Sequence, residues 1–296
     1  MIITKLKGGL GNQMFQYAIG RHLSIKKNTS LKLDTTFFND NEEHTKRDFV
    51  LNNYNILAEI ASDKEIEKII TKGKYKRAII RKILQREIPY HKERRIGEIS
   101  GIVNTDIFNI NSDSYIHGVW ANEKYFKDSS DVLTKEFTLK KKSDSFLSKE
   151  FQITNRNSVS IHIRRGDYLT NEGYNNLFGV LGIEYYNNAI SYIKKYNYSP
   201  FFYIFTDDVE WTKQIFLNKN DFEIVSGKGF EDYEELQLMS CCKCNIIANS
   251  TYSWWGAWLN NYNDKIVVAP QVWYIDMKFQ FNHEQMGVIP NNWILL

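Results

Sequence analysis

The sequence predicts an α/β protein with parallel sheets, more naturally in two domains than one. Three observations carry this prediction. Short apolar strand candidates alternate with helical stretches. A glycine-rich loop follows the first strand candidate. The chain is also long, at 296 residues with 43% hydrophobic content, which suits two cores better than one.

The elements follow in chain order. Residues 2–6, I-I-T-K-L, read as a strand, and Lys7 to Asn12, K-G-G-L-G-N, as a loop. From Gln13 onward, Met14, Tyr17, Ala18 and Leu23 recur near helical spacing, so a helix starts there. Leu31-Lys32-Leu33-Asp34 reads as a second strand ending in a carboxylate, and Tyr115 to Val119 as another strand. Residues 63–95 read as a basic helix carrying Lys68, Lys72, Arg77, Arg81 and Lys82 beside an apolar side of Ile79, Ile80, Ile83 and Leu84. That helix is either a solvated face or a patch that rests on an anionic membrane. Charged residues dominate 138–150, which places the domain boundary near 150, with domains at 1–150 and 151–296.

The second half is more regular. Strands are expected at 158–163, 201–205, 222–225, 245–248 and 266–269, with helices at 184–196, 209–217, 232–243 and 252–259. Parallel sheets of this kind are covered on both faces, and their ligands gather outside the carboxyl ends of the strands.

Composition narrows the function. A net charge of +3 is too mild to imply a nucleic-acid partner. M-I-I-T-K-L-K-G-G-L lacks the pattern of a signal peptide, and no apolar run reaches the ~18 residues of a membrane span. Cys241, Cys242 and Cys244 sit together without a second ligand pair at zinc spacing. They are expected to be buried thiols in a reduced cytoplasm.

Polar chemistry collects at the strand ends. The first strand of the second half runs into His162, Arg164, Arg165 and Asp167. A guanidinium grips a phosphate through two parallel hydrogen bonds, and Asp167 can brace one arginine while the other meets the ligand. Gly166 permits the turn between them. The next strand ends in Thr206-Asp207-Asp208, which suits a ribose or base edge, or a metal. The fourth ends in Asn249, Ser250, Thr251 and Ser253 where a helix opens near Tyr252, offering an anion seat, a helix cap, or both. Trp254, Trp255 and Trp258 read as core. The loop around Gly9, Gly11 and Asn12 is neither a Walker A motif nor a full dinucleotide fingerprint, since Met14 stands where a third glycine is needed.

Three segments together resemble glycosyltransferase family 11, the α-1,2-fucosyltransferases. They are G-G-L-G-N-Q-M-F-Q-Y-A (Gly8 to Ala18), H-I-R-R-G-D-Y (His162 to Tyr168) and I-I-A-N-S-T-Y-S-W-W-G-A-W-L (Ile246 to Leu259). The resemblance implies a GT-B-like fold, two Rossmann-like domains with a cleft between them, with GDP-L-fucose bound mainly by the C-terminal domain and the acceptor by the N-terminal one. It implies inverting transfer of fucose to the 2-hydroxyl of a β-galactose, with no cofactor and no required metal. Its arginine pair meets the donor diphosphate, which maps to Arg164 and Arg165. Many members carry His-Gly shortly after that motif, and this chain has Phe178-Gly179 instead.

The expected site therefore comprises Arg164, Arg165, Asp167 and Glu172 as catalytic residues. Donor contacts come from Gly9, Gly11, Asn12, His162, Thr206, Asp207, Asp208, Asn249, Ser250, Thr251 and Ser253. Fixed cations meet the charge that develops on a departing diphosphate. Glu172 or Asp34 is the candidate base. Two other readings compete: a transferase for another nucleotide sugar, and a carbohydrate-binding protein. The expected setting is cytoplasmic, with a lipid-linked polysaccharide acceptor and peripheral contact with the membrane face.

Overall fold

The computed structural model describes residues 1–39, 47–70, 103–217 and 219–296, and the backbone of 90–92. The chain divides into two compact units, Met1–Thr138 and Leu139–Leu296.

The first unit holds a five-stranded sheet in the order β3-β2-β1-β5-β4, every neighbouring pair parallel. Its strands are β1 (Ile2–Lys5), β2 (Leu31–Asp34), β3 (Glu59–Ile60), β4 (Tyr90–Lys92) and β5 (Ser114–His117). Helix α1 (Leu10–Lys26) crosses from β1 to β2, and residues 63–70 form helix α2. Met14, Phe15, Tyr17, Ala18 and Leu23 of α1 are buried, as the helical spacing predicted.

Two expectations are corrected here. Helix α1 starts at Leu10, not Gln13: Gly9 is extended (φ −71, ψ 172) and its carbonyl accepts from Asn12 and Gln13 N–H, so Gly11 and Asn12 lie in the first turn. Residues 90–92 are a strand, not helix, because they pair with β5 through Tyr90–Tyr115 and His91–Ile116. Most of the basic segment, residues 71–89 and 93–95, lies outside the described residues.

The boundary also moves, from 150 to between Thr138 and Leu139. Helix α3 (Ser130–Glu136) closes the first unit and helix α4 (Asp144–Thr154) opens the second. The charges that dominate 138–150 bind α4 to the second unit: Lys149 pairs with Glu223 at 2.7 Å and the Ser143 hydroxyl donates to Glu234 at 3.0 Å. Phe146 and Ile153 are the buried face of this helix.

The second unit contains a six-stranded parallel sheet, order β11-β10-β9-β6-β7-β8. Its strands are β6 (Ser158–Ile163), β7 (Phe201–Thr206), β8 (Phe222–Ile224), β9 (Cys244–Ile246), β10 (Val267–Ala269) and β11 (Ile294–Leu295). The helices are α5 (Gly166–Thr170), α6 (Glu172–Phe178), α7 (Ile183–Tyr196), α8 (Val209–Phe216), α9 (Asp232–Ser240), α10 (Thr251–Trp258) and α11 (Met277–Met286). Each predicted strand and helix of this half is present, shifted at its ends by three residues or fewer. α5, α6, α11 and β11 were not anticipated: their sequences are short or lack a period.

All six residues of β6 are buried, so both faces of the strand are covered. Val159, Ile161 and Ile163 pack with Phe202, Ile204 and the α7 residues Tyr186, Ala189 and Ile193. The opposite face carries Ser160, which accepts from Asn245 Nδ2 at 2.7 Å; Asn245 in turn accepts from Asn260 at 2.8 Å. Ser160, Asn245 and Asn260 thereby satisfy one another, which avoids the cost of an unmet donor. Trp254 and Trp255 are core, with the Trp254 indole donating to the Val288 carbonyl at 3.1 Å. Cys241, Cys242 and Cys244 are free thiols that are buried or nearly so, and burial pushes the Cys241 thiol up to about 12.

Candidate active site

The strand order of the second unit reverses between β6 and β9, and parallel sheets hold their ligands at such a point. The carboxyl end of β6 delivers Arg164 and Arg165; that of β9 leads to Asn249 and Ser250. Tyr168 ties the two together, its hydroxyl donating to the Asn249 carbonyl at 3.0 Å.

Both arginines are braced, and by more than Asp167. Arg164 Nη2 meets Asp167 Oδ1 at 2.7 Å and its Nη1 meets Asp207 Oδ2 at 2.9 Å. Burial disfavours the Arg164 charge, but Asp207 and Asp167 outweigh that and hold its pKa above the ordinary guanidinium value. Arg165 donates from Nε to Asp208 Oδ2 at 3.1 Å and lies over the Trp211 ring. The Arg165 backbone N–H donates to Asp207 Oδ1 at 2.8 Å. Among the described residues, no other carboxylate pairs with Arg165, so its Nη1 and Nη2 are available to an anion.

Asp207 and Asp208 therefore face the arginines. Asp208 also caps α8, accepting from Trp211 N–H at 3.1 Å. Asp167 stands in the first turn of α5. Free N–H groups at both helix starts offset part of the charge of these carboxylates. Thr206 is a buried turn residue whose hydroxyl accepts from Asp208 N–H at 3.0 Å.

His162 is 4% exposed, and its Nδ1 makes no hydrogen bond. Burial first, and then the Arg164 charge, lower its pKa to about 3, so the ring is neutral. The ring lies 5.3 Å from that of Tyr252.

At the start of α10, Ser250 is the cap, accepting from Tyr252 N–H at 3.3 Å. Thr251 is the first helical residue. Ser253 is buried and bonds back to the Ala248 and Ser250 carbonyls, each at 3.4 Å. Asn249 uses its Nδ2 on the Phe178 and Trp273 carbonyls at 3.0 and 3.2 Å. Phe178, the residue at the departure from the family pattern, stacks between Tyr168 (5.0 Å, 9°) and Tyr274 (5.1 Å, 30°). Glu172 is exposed in the first turn of α6.

In the first unit, Gly9 stands between β1 and α1, and Gly11 and Asn12 lie in the first turn of α1. Gly8 has φ +77, and a Cβ there would meet Asn12 Nδ2 at 2.9 Å. Gln13 Nε2 donates to the Gly8 carbonyl at 3.0 Å and to Asp48 at 2.8 Å, while Gln16 accepts from Lys7 N–H at 2.9 Å. Both glutamines of the opening motif thus hold the glycine turn. Asp34 is 1% exposed and accepts from Tyr115 Oη and from the Thr36 N–H and hydroxyl. These three donors occupy the carboxylate and fix the end of β2.

Sequence reasoning missed Trp211, Ser226 and Glu235. Ser226 follows β8, accepts from Thr206 N–H at 2.8 Å and donates to Glu235 at 2.7 Å. Its position just past a strand end was the available signal. Nothing in the sequence marks Glu235, which lies one helical turn into α9.

The family model described as Glycosyl transferase family 11 matches residues 1–296. The O-antigen biosynthesis glycosyltransferase WbnK of Escherichia coli is 36% identical over 290 residues, covering 91% of this chain and 93% of that protein. An alpha-1,2-colitosyltransferase of Escherichia coli is 36% identical over 282 residues, covering 93% and 92%. A structure of an Arabidopsis thaliana FUT1 mutant in complex with GDP aligns with a TM-score of 0.50 at 9% identity, covering 90% of this chain and 69% of that one. That likeness concerns the fold.

Proposed function

The chain belongs to glycosyl transferase family 11, and from that premise we propose that it is an inverting α-1,2-fucosyltransferase. It moves L-fucose from GDP-L-fucose to the 2-hydroxyl of a terminal β-galactose in a surface polysaccharide, its acceptor lipid-linked and its setting the cytoplasmic face of the membrane. The observation that carries this reading is the arginine pair, braced by three carboxylates at the reversal point of the second unit's sheet.

A leaving diphosphate gains charge as its bond to the sugar breaks. Cations already fixed in place stabilise that charge without reorganising. Arg165 offers its two terminal nitrogens and Arg164 the donors that Asp167 and Asp207 leave open. No divalent ion is required in this mechanism. The amides at the start of α10 assist. The donor belongs to the second unit and the acceptor to the first. Glu172, exposed beside the arginine motif, receives the proton of the acceptor hydroxyl.

A second donor is favoured by the colitosyltransferase relative at 36% identity. A different sugar on the same nucleoside diphosphate leaves the chemistry of the departing diphosphate unchanged. The test supplies purified protein with GDP-L-fucose, GDP-colitose, GDP-mannose or UDP-galactose, and a β-galactoside. Fucosyl transfer with a 1,2 linkage supports the proposal. Transfer from GDP-colitose alone replaces the donor. Loss of activity with chelator sinks the metal-free mechanism.

A further inference from the structure

The motif His162 to Tyr168 has an unexplained glycine. Gly166 opens α5, and its backbone has no need of a left-handed conformation. Space is what excludes a side chain: a Cβ at Gly166 would lie 2.9 Å from Asp207 Oδ2 and 3.1 Å from Asp207 Cγ. Asp207 comes from another strand end, forty-one residues further along the chain. Its two oxygens serve two different arginines. Oδ2 takes Arg164 Nη1 at 2.9 Å, and Oδ1 takes the Arg165 backbone N–H at 2.8 Å.

We propose that Asp207 is the positioning residue of the arginine pair, and that Gly166 exists to admit its carboxylate. The inference rests on the donor-diphosphate reading of Arg164 and Arg165. One oxygen sets the direction of the Arg164 side chain; the other fixes the backbone from which Arg165 projects. Among the described residues, Asp207 alone has a side chain that meets both arginines. Asp167 pairs with the first and Asp208 with the second. Asp207 thus makes the pair a single rigid anion clamp, and its own oxygens are occupied by that work. This replaces the ribose or base-edge contact that the sequence suggested for it.

A side chain at Gly166 must displace the Asp207 carboxylate, because the crowded atoms include Cγ, which cannot swing away at the end of a flexible chain. Two separate substitutions should then produce the same defect. Asp207→Asn keeps the shape and the contact with the Arg165 N–H but removes the charge facing Arg164. Gly166→Ala keeps the charge and moves it.

The experiment measures GDP affinity by calorimetry, kcat and KM for GDP-L-fucose, and thermal unfolding. The proteins are the full chain and four variants: Asp207→Asn, Asp207→Ala, Gly166→Ala and the Asp207→Ala/Gly166→Ala double variant. Asp207→Asn and Gly166→Ala should each weaken GDP about tenfold or more, the scale of a hydrogen bond to a charged group. Their unfolding midpoints should stay near that of the parent. In the Asp207→Ala background, where the crowding atoms are gone, Gly166→Ala should cost less than about twofold. Equal and additive losses from Gly166→Ala in both backgrounds overturn the inference. So do variants that bind GDP as the parent does, or that lose affinity only in proportion to lost folding. A parent that neither binds GDP nor uses a GDP-sugar overturns the underlying reading as well.

Discussion

The Arg165 guanidinium lies over the indole of Trp211, 4.0 Å from its carbon to the ring centroid. The same arginine reaches Asp208, which caps the helix that carries Trp211. Stack and ion pair therefore come from one helix start, and they fix the plane of the guanidinium as well as its place.

Trp211→Leu keeps an apolar side chain and removes the π face. A stacked cation contributes about 0.5–2 kcal/mol, so GDP affinity should fall roughly 2- to 30-fold. Calorimetry on the variant checks this. Unchanged affinity would mean that Trp211 only packs.

Arg164→Lys should lose nearly as much as Arg164→Ala. An ammonium is a point charge and cannot span Asp167 and Asp207 while facing a ligand. The loss should be about 2.7–4 kcal/mol in the barrier, roughly a hundred- to a thousandfold in kcat/KM. Steady-state kinetics with the productive donor decides it; near-parent turnover in Arg164→Lys sinks the fork argument.

Gly8→Ala meets two penalties: φ +77 and the contact with Asn12 Nδ2. Positive φ in a residue with a Cβ costs on the order of 1–2 kcal/mol. The unfolding midpoint should drop by a few degrees. An unaltered denaturation curve would show that the turn relaxes freely.

Glu235 predicts a pH effect. Burial, opposed by the Ser226 hydrogen bond and reinforced by Asp232, raises its carboxyl to about 7. An unfolded glutamate titrates near ~4.3. The folded state therefore holds the proton more tightly, and this group's contribution to stability falls as pH climbs from about 4 to about 7. It is flat above that. Glu235→Gln, which cannot ionise, should match the parent near pH 4 and exceed it at pH 8, by roughly 4 kcal/mol at most. Parallel stability curves for the two proteins across that window would refute the shift.

The second half of the chain was legible because its strands are short, apolar and regularly spaced. Val159, Ile161 and Ile163 announced their face, and the arginines at the strand end announced a site. Three things were hidden. The start of α1 was read late because glycines at 9 and 11 look like loop, although helix first turns tolerate them. The engagement of Asp207 with two arginines was invisible, since strand pairing, not sequence distance, brings residues 164 and 207 together. The first unit was read least well: β3 and β4 are two and three residues long, too short for a period to register.

The all-parallel sheet of the second unit has a consequence for biosynthesis. Its central strand β6 pairs with β9, joining Val159 to Cys244 across eighty-five positions of chain. On a ribosome, β6 emerges long before that partner, and the backbone N–H and C=O groups of its β9-facing edge stay unpaired in the meantime. Such distant pairing slows folding and prolongs exposure to aggregation. Nascent chains halted before residue 244 should accordingly be captured by chaperones, whereas those that extend past β9 can pair that edge.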